Sequence, residues 1–165
     1  MTNDNQIILA LFPNARGFGY ACMNVDEKKI LDYGIFNARP LRNESQIRRF
    51  KVLEKYHNPT VLLLRNPKGT SAQSKSRLTD FNSNIKDHTE PRKIQVYHYS
   101  RQQIQDVFEA FGATSKQAVA EQLIVWFEEL ADYSPRKRKY WTDEDYHMGV
   151  FDAMALIITH QYLTS

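Results

Sequence analysis

The apolar positions of this chain fall into short runs, and the period of those runs changes along the sequence in a way that outlines its elements. Residues 6–12 are apolar nearly throughout, as expected of a central strand covered on both faces. Residues 17–25 and 29–37 read as two further strands, with Asp26-Glu27-Lys28 as the hairpin turn between them. The three make an antiparallel meander that Pro40 closes. Beyond it the period lengthens. Ile47, Phe50, Leu53 and Tyr56 recur on one helical face behind Asn43, a suitable N-cap. Asn58-Pro59 ends that helix, because the residue before a proline is pushed out of the helical region.

Thr60 to Leu64 reads as a short buried strand, most simply parallel to the first. The polar stretch from Asn66 to Ser76, with Gly69, Ser71, Ser74 and Ser76, predicts a loop. Leu78, Phe81 and Ile85 predict a helix over 75–87, and Pro91 precedes a strand over 93–99. Ser100 caps a short helix carrying Ile104, Val107 and Phe108, which Gly112 ends. Ser115 caps the next, where Val119, Leu123, Trp126, Phe127 and Leu130 form an apolar stripe. Thr142 with Asp145 resembles a capping box for a last helix that turns Val150, Phe151, Met154, Ile157 and Ile158 to the core.

Helices interleaved between strands require crossover connections, so the two later strands should run parallel to the first. The expected class is α/β, of ribonuclease H-like type. It has a five-stranded mixed sheet, three antiparallel strands followed by two parallel ones, with helices on both faces.

Composition adds bounds to this picture. A length of 165 residues suits one domain, 1–165, with a sizeable core. At 42% hydrophobic and 25% charged residues it reads as an ordinary globular protein. The apolar runs are too short to span a bilayer, and the polar start lacks the order of a signal peptide. A lone Cys22 cannot form an internal disulfide, which points to a reducing, cytoplasmic location. The net charge of +3 says little, but its distribution says more. Arg136, Lys137, Arg138 and Lys139 form one dense run, and Arg39, Arg42, Arg48, Arg49 and Lys51 a looser group. Such clusters can neutralise phosphates. They equally suit a solvated loop and a solvated helix face.

Several chemistries are excluded. The five histidines, at 57, 88, 98, 147 and 160, show no zinc-ligand spacing, and one cysteine rules out a thiolate cluster. No Walker loop or dinucleotide-type glycine run is present. His160 fits a helix C-terminus, where the dipole favours its charge. Among Tyr97, Tyr99, Trp126, Phe127, Tyr140 and Trp141 most suit the core. Tyr140 and Trp141 follow the basic run directly and are candidates for base stacking.

Three stretches, the second of them in two parts, carry a resemblance to a known family. Residues 7–12 lead through Pro13, Arg16, Gly19 and Tyr20. In spacing this looks like the first motif of RuvC-type Holliday junction resolvases, an apolar strand ending in Asp-Pro-Gly and passing through an Arg to Gly-Tyr. The segment 99–104 resembles the family's entry into a helix after the fifth strand, and Gly112 to Val119 is similar to its Gly-x-Ala-x-Lys-x-x-Val helix start. Phe151 to His160 looks like its closing Ala-Asp-Ala-Leu-Ala helix, which ends in Thr-His. The likeness covers 6–37 and about 93–161 in the right order, and the middle matches by element order alone.

The resemblance implies hydrolysis of a phosphodiester by two magnesium ions, held by carboxylates from the first strand, the fourth strand and the last helix. This sequence departs from that set. Phe12 stands at the first acid position, Leu64 or Arg65 at the fourth-strand glutamate, and Gly149 at an acid of the last helix; only Asp152 remains. One carboxylate cannot hold two divalent ions. A rearranged set of Asp152, Asp145 and Asp32 is the alternative, and magnesium is expected only if it forms.

The main expectation is therefore a RuvC-like protein that has lost metal-dependent cleavage and needs no cofactor. It would still bind nucleic acid, branched or duplex DNA, as a recombination or repair accessory. Arg16 and Lys116 are candidate phosphate contacts by motif, and Arg136, Lys137, Arg138 and Lys139 by composition. A homodimer is implied by the resemblance. The alternatives are a protein-interaction scaffold on the same fold and a junction endonuclease working through Asp152 and Asp145.

Overall fold

The computed structural model describes residues 6–134 and 147–165. Strands β1 (Ile7–Asn14), β2 (Gly17–Asn24) and β3 (Lys29–Asn37) form the expected antiparallel meander. Helix α1 (Asn43–His57) leads to β4 (Val61–Arg65), and α2 (Ala72–Thr89) leads to β5 (Gln95–Tyr99). Three helices follow, α3 (Arg101–Glu109), α4 (Lys116–Trp126) and α5 (Met148–Thr164). The sheet order is β3-β2-β1-β4-β5, with β4 parallel to both β1 and β5. This is the predicted mixed sheet, with the all-apolar β1 at its centre.

The period-2 rule sorts the strands between two cores. Leu9, Leu11, Leu62 and Leu64 face Phe50 and Leu53 of α1 and Phe81 and Ile85 of α2. Ile8, Ala10, Phe12, Val61 and Leu63 face the other way, toward α3, α4 and α5. Helix α5 is buried on nearly every side because it lies against this second face while α3 and α4 cover it in turn. Among the described residues no helix is long and apolar enough to cross a membrane.

Several element ends differ from the sequence reading. Asn43 is not the N-cap of α1; it is the first helical residue, and Arg42 precedes it without a side-chain cap. Helix α2 begins at Ala72, earlier than residue 75, because Ser71 accepts from the Ser74 N–H and caps it there. Strand β5 starts at Gln95, since a 3-10 turn over Glu90–Arg92 ends with Lys93 at φ 58°. The stripe from Val119 to Leu130 is not one helix. Phe127 leaves the helical region and a 3-10 segment, Glu128–Tyr133, carries Leu130 into the core. Tyr33 of β3 holds that segment, donating to the Glu129 carbonyl at 3.1 Å and meeting the Tyr133 ring at 5.2 Å. The two serine caps of α3 and α4 are as expected, and Ser100 with Gln103 forms a full capping box. The Thr142–Asp145 box lies outside the described residues.

Where α5 crosses β2 the backbones touch. The carbonyl of Gly149 sits against Gly19, and any Cβ on Gly19 would overlap it. A Cβ on Gly149 would meet the Gly19 Cα at 3.2 Å. Gly19→Ala is therefore expected to lower stability by about 3 kcal/mol or more, the upper end of overpacking costs. Gly149→Ala, with room to give on one side, should cost less. Urea unfolding of both variants beside the parent checks the order.

Candidate nucleic-acid interface

The carboxyl ends of β1, β4 and β5 lie along one edge of the sheet, because these three strands are parallel. Ligands of open α/β sheets bind at such edges. Phe12 points from β1 to the α5 side and is 2% exposed. Alternation puts Leu64 in the opposite core, so the residue of β4 on the Phe12 side is Arg65. Its guanidinium lies 4.7 Å from the centre of the Phe12 ring and donates to the Pro13 carbonyl at 3.4 Å. A second guanidinium, that of Arg101, lies 5.1 Å from the same ring. Both distances are those of cation–π contacts.

Arg101 is the first residue of α3, directly after the Ser100 cap. It also reaches Asp152 of α5, Nη1 to Oδ1, at 3.4 Å. Lys116, the first residue of α4, approaches the other oxygen of Asp152 at 3.8 Å. Asp152 is 8% exposed and thus meets a cation at each carboxylate oxygen. Beside these groups opens a cleft of about 300 Å³, lined by Arg101, Gln105, Ser115, Lys116, Phe151 and Asp152 among others.

Among the described residues the charge at this edge is the reverse of a metal site. Magnesium requires oxygen ligands in octahedral array. Here Arg65, Arg101 and Lys116 surround one carboxylate and an aromatic ring. Among the described residues no group of three His, Cys, Asp or Glu side chains could hold a metal ion. These residues do not fit a magnesium pair.

The rearranged acid set is not assembled by the described residues. Asp32 sits opposite Cys22 on the face of the sheet away from α5, and pairs with His57 of α1 at 2.8 Å. Register alternation decides this: a residue in line with Cys22 cannot reach a helix packed on the other side. Asp145 lies outside the described residues, as do Arg136, Lys137, Arg138, Lys139, Tyr140 and Trp141. Arg16 is exposed in the turn after β1, where Asn14 accepts from the N–H groups of Arg16 and Gly17. Of the looser basic group, Arg49 lies on the Tyr20 side of the sheet, 5.8 Å from that ring.

Sequence reasoning missed Arg65 and Arg101 as site residues. The motif comparison marked their neighbourhoods, but their shared contact with Phe12 depends on strand register and a helix start. Burial first, and Asp32 second, push the Cys22 thiol up to about 12, so it stays protonated. His160 does not follow the dipole expectation. It is buried, its Nδ1 lies 2.7 Å from the Tyr99 hydroxyl, and desolvation lowers its pKa.

No protein-family model and no curated protein matches the sequence. Solved structures match closely in shape. RuvC from Thermus thermophilus in complex with Holliday junction substrate superposes at a TM-score of 0.69, with 12% identity over 96% of this chain and 94% of that one. The Thermus thermophilus RuvC structure gives 0.65 with 14% identity over 96% and 95%. The yeast mitochondrial Holliday junction resolvase Ydc2 gives 0.61 with 15% identity over 94% and 78%. The fold is the ribonuclease H-like fold of RuvC.

The His160 environment predicts a pH effect. Its ordinary pKa of 6.5 applies to the unfolded chain, and the folded value is lower. The unfolded state therefore takes up the proton first as pH falls, so this contribution is complete above 6.5 and is lost below it. His98 is lowered too, by desolvation and then by Lys86, and acts with the same sign. The thermal midpoint should fall between about pH 7.5 and 5.5, and His160→Gln should lessen that fall. An equal fall in both proteins would refute the assignment.

Proposed function

We propose that this protein binds nucleic acid through the positively charged edge of a RuvC-type fold and does not cleave it. The observation that carries this reading is the Phe12 ring at the end of β1, with the guanidinium groups of Arg65 and Arg101 against it. An apolar ring covered by cations offers no ligand to a divalent ion, and it leaves a surface suited to phosphate. Lys116 and the exposed Arg16 extend the same charge along the edge. Arg136, Lys137, Arg138 and Lys139 would add further phosphate contacts. The fold match includes a RuvC in complex with a Holliday junction substrate, which supports branched DNA as the ligand and a recombination or repair role.

A protein-contact function is the second reading. Phe111, Trp126 and Tyr162 are 43%, 38% and 49% exposed, and the Phe111 ring meets the other two at 5.0 and 5.9 Å. Exposed rings gathered in this way suit a protein partner, a second copy included.

A labelled four-way junction and a linear duplex of equal length, titrated at two salt concentrations with and without magnesium, separate the readings. Expected are salt-sensitive binding, preference for the junction, and intact strands in either buffer. Magnesium-dependent cleavage that Asp152→Asn abolishes would establish the endonuclease instead. Binding to neither DNA would leave the protein-contact surface as the function.

A further inference from the structure

The charges at the Asp152 cleft are arranged against the local preferences of their helices. Cations are unfavourable at a helix N-terminus, where the backbone already presents positive partial charge and free N–H groups. Yet α3 begins with Arg101 and α4 with Lys116, and neither first turn contains an acidic residue. Both helix starts open on the same cleft, as do both side chains. Local rules broken twice at one place mark a site built for a ligand. Among the described residues Asp152 meets both cations, with an oxygen 3.4 Å from Arg101 and another 3.8 Å from Lys116.

We propose that this cleft is a metal-free phosphodiester clamp in which Asp152 stands in for the phosphate when no ligand is bound. A phosphate group carries its charge on two free oxygens, as a carboxylate does, and suits the fork of a guanidinium. Entry of a backbone phosphate would turn Arg101 and Lys116 from the Asp152 oxygens to its own. Arg65 and Phe12 hold the position of Arg101, because its guanidinium packs on the ring they share. The side chain of Lys116 is 38% exposed and that of Arg101 25%, so both can be reached from solvent. The carboxylate therefore competes with the ligand and does not help to bind it. In a metal site the same carboxylate would instead hold the ion that faces the phosphate.

The inference rests on the nucleic-acid reading, and one experiment distinguishes their failures. Junction affinity is measured in chelator for the parent, Asp152→Asn, Arg101→Gln and the double variant, with thermal melts to verify folding. Asp152→Asn preserves shape and removes the competing charge. It should tighten binding by roughly tenfold, the scale of one charge-assisted contact. Arg101→Gln should weaken binding by a similar factor, and the gain from Asp152→Asn should largely vanish in its background. Adding magnesium should not strengthen binding in any of the four. If the parent binds the junction but Asp152→Asn binds equally or more weakly, the clamp is overturned and the nucleic-acid reading stands. If the parent binds no DNA, both fall.

Discussion

The contact on which the rest of this structure depends is the one between two glycines. Helix α5 can lie against the central strands only because Gly149 and Gly19 allow their backbones to touch. That approach sets the depth of α5 and therefore the place of Asp152 one turn further on. It also carries Phe151, Met154 and Ile157 into the core they share with β1 and β4. A Cβ at 149 would press on the Gly19 Cα at 3.2 Å, so the closeness of this crossing favours glycine there.

From that placement the charge of the site follows. Asp152 is brought to the sheet edge where β1 ends in Phe12 and β4 in Arg65, and the two capped helices α3 and α4 begin beside it. A carboxylate at 8% exposure would be costly by itself, and two cations at its oxygens relieve that cost. The ring of Phe12 does the corresponding service for the guanidinium groups, which find an apolar face with a favourable quadrupole. Among the described residues these contacts tie β1, β4, α3, α4 and α5 together at the site.

Much of the fold was legible in the chain. The apolar run in β1, the hairpin at Asp26-Glu27-Lys28 and the caps Ser100 and Ser115 are local signals, and each produced its element. The errors fell where a signal was weak or came from elsewhere in the molecule. Ser71, within a polar stretch, capped a helix earlier than its apolar residues suggested. The break at Phe127 lies beside a segment held by Tyr33, 96 positions from its hydrogen-bond partner Glu129. For the site, the resemblance directed attention to Phe12, Arg65, Gly149 and Asp152. It could not disclose that Arg65 and Arg101 meet over Phe12, because that meeting depends on parallel register between β1 and β4. Asp32 was misplaced for the same kind of reason: the face of a strand residue is set by alternation, and only the paired strands show which face α5 covers.

The ring and its two guanidinium groups also restrict which neighbouring sequences are open to this chain. A carboxylate at position 12 would fall between Arg65 and Arg101 and form ion pairs with them. An acid at 149 would bring its Cβ to 3.2 Å from the Gly19 Cα, so the helix would have to ease back slightly. A glutamate at 65 would remove one cation and place an acid beside an apolar ring. No one of these exchanges by itself builds a carboxylate cage, because the other positions keep their cations and their close backbone contact. Converting the cluster would take concerted exchanges on β1, β4 and α5, three elements far apart in the chain and joined only by the fold.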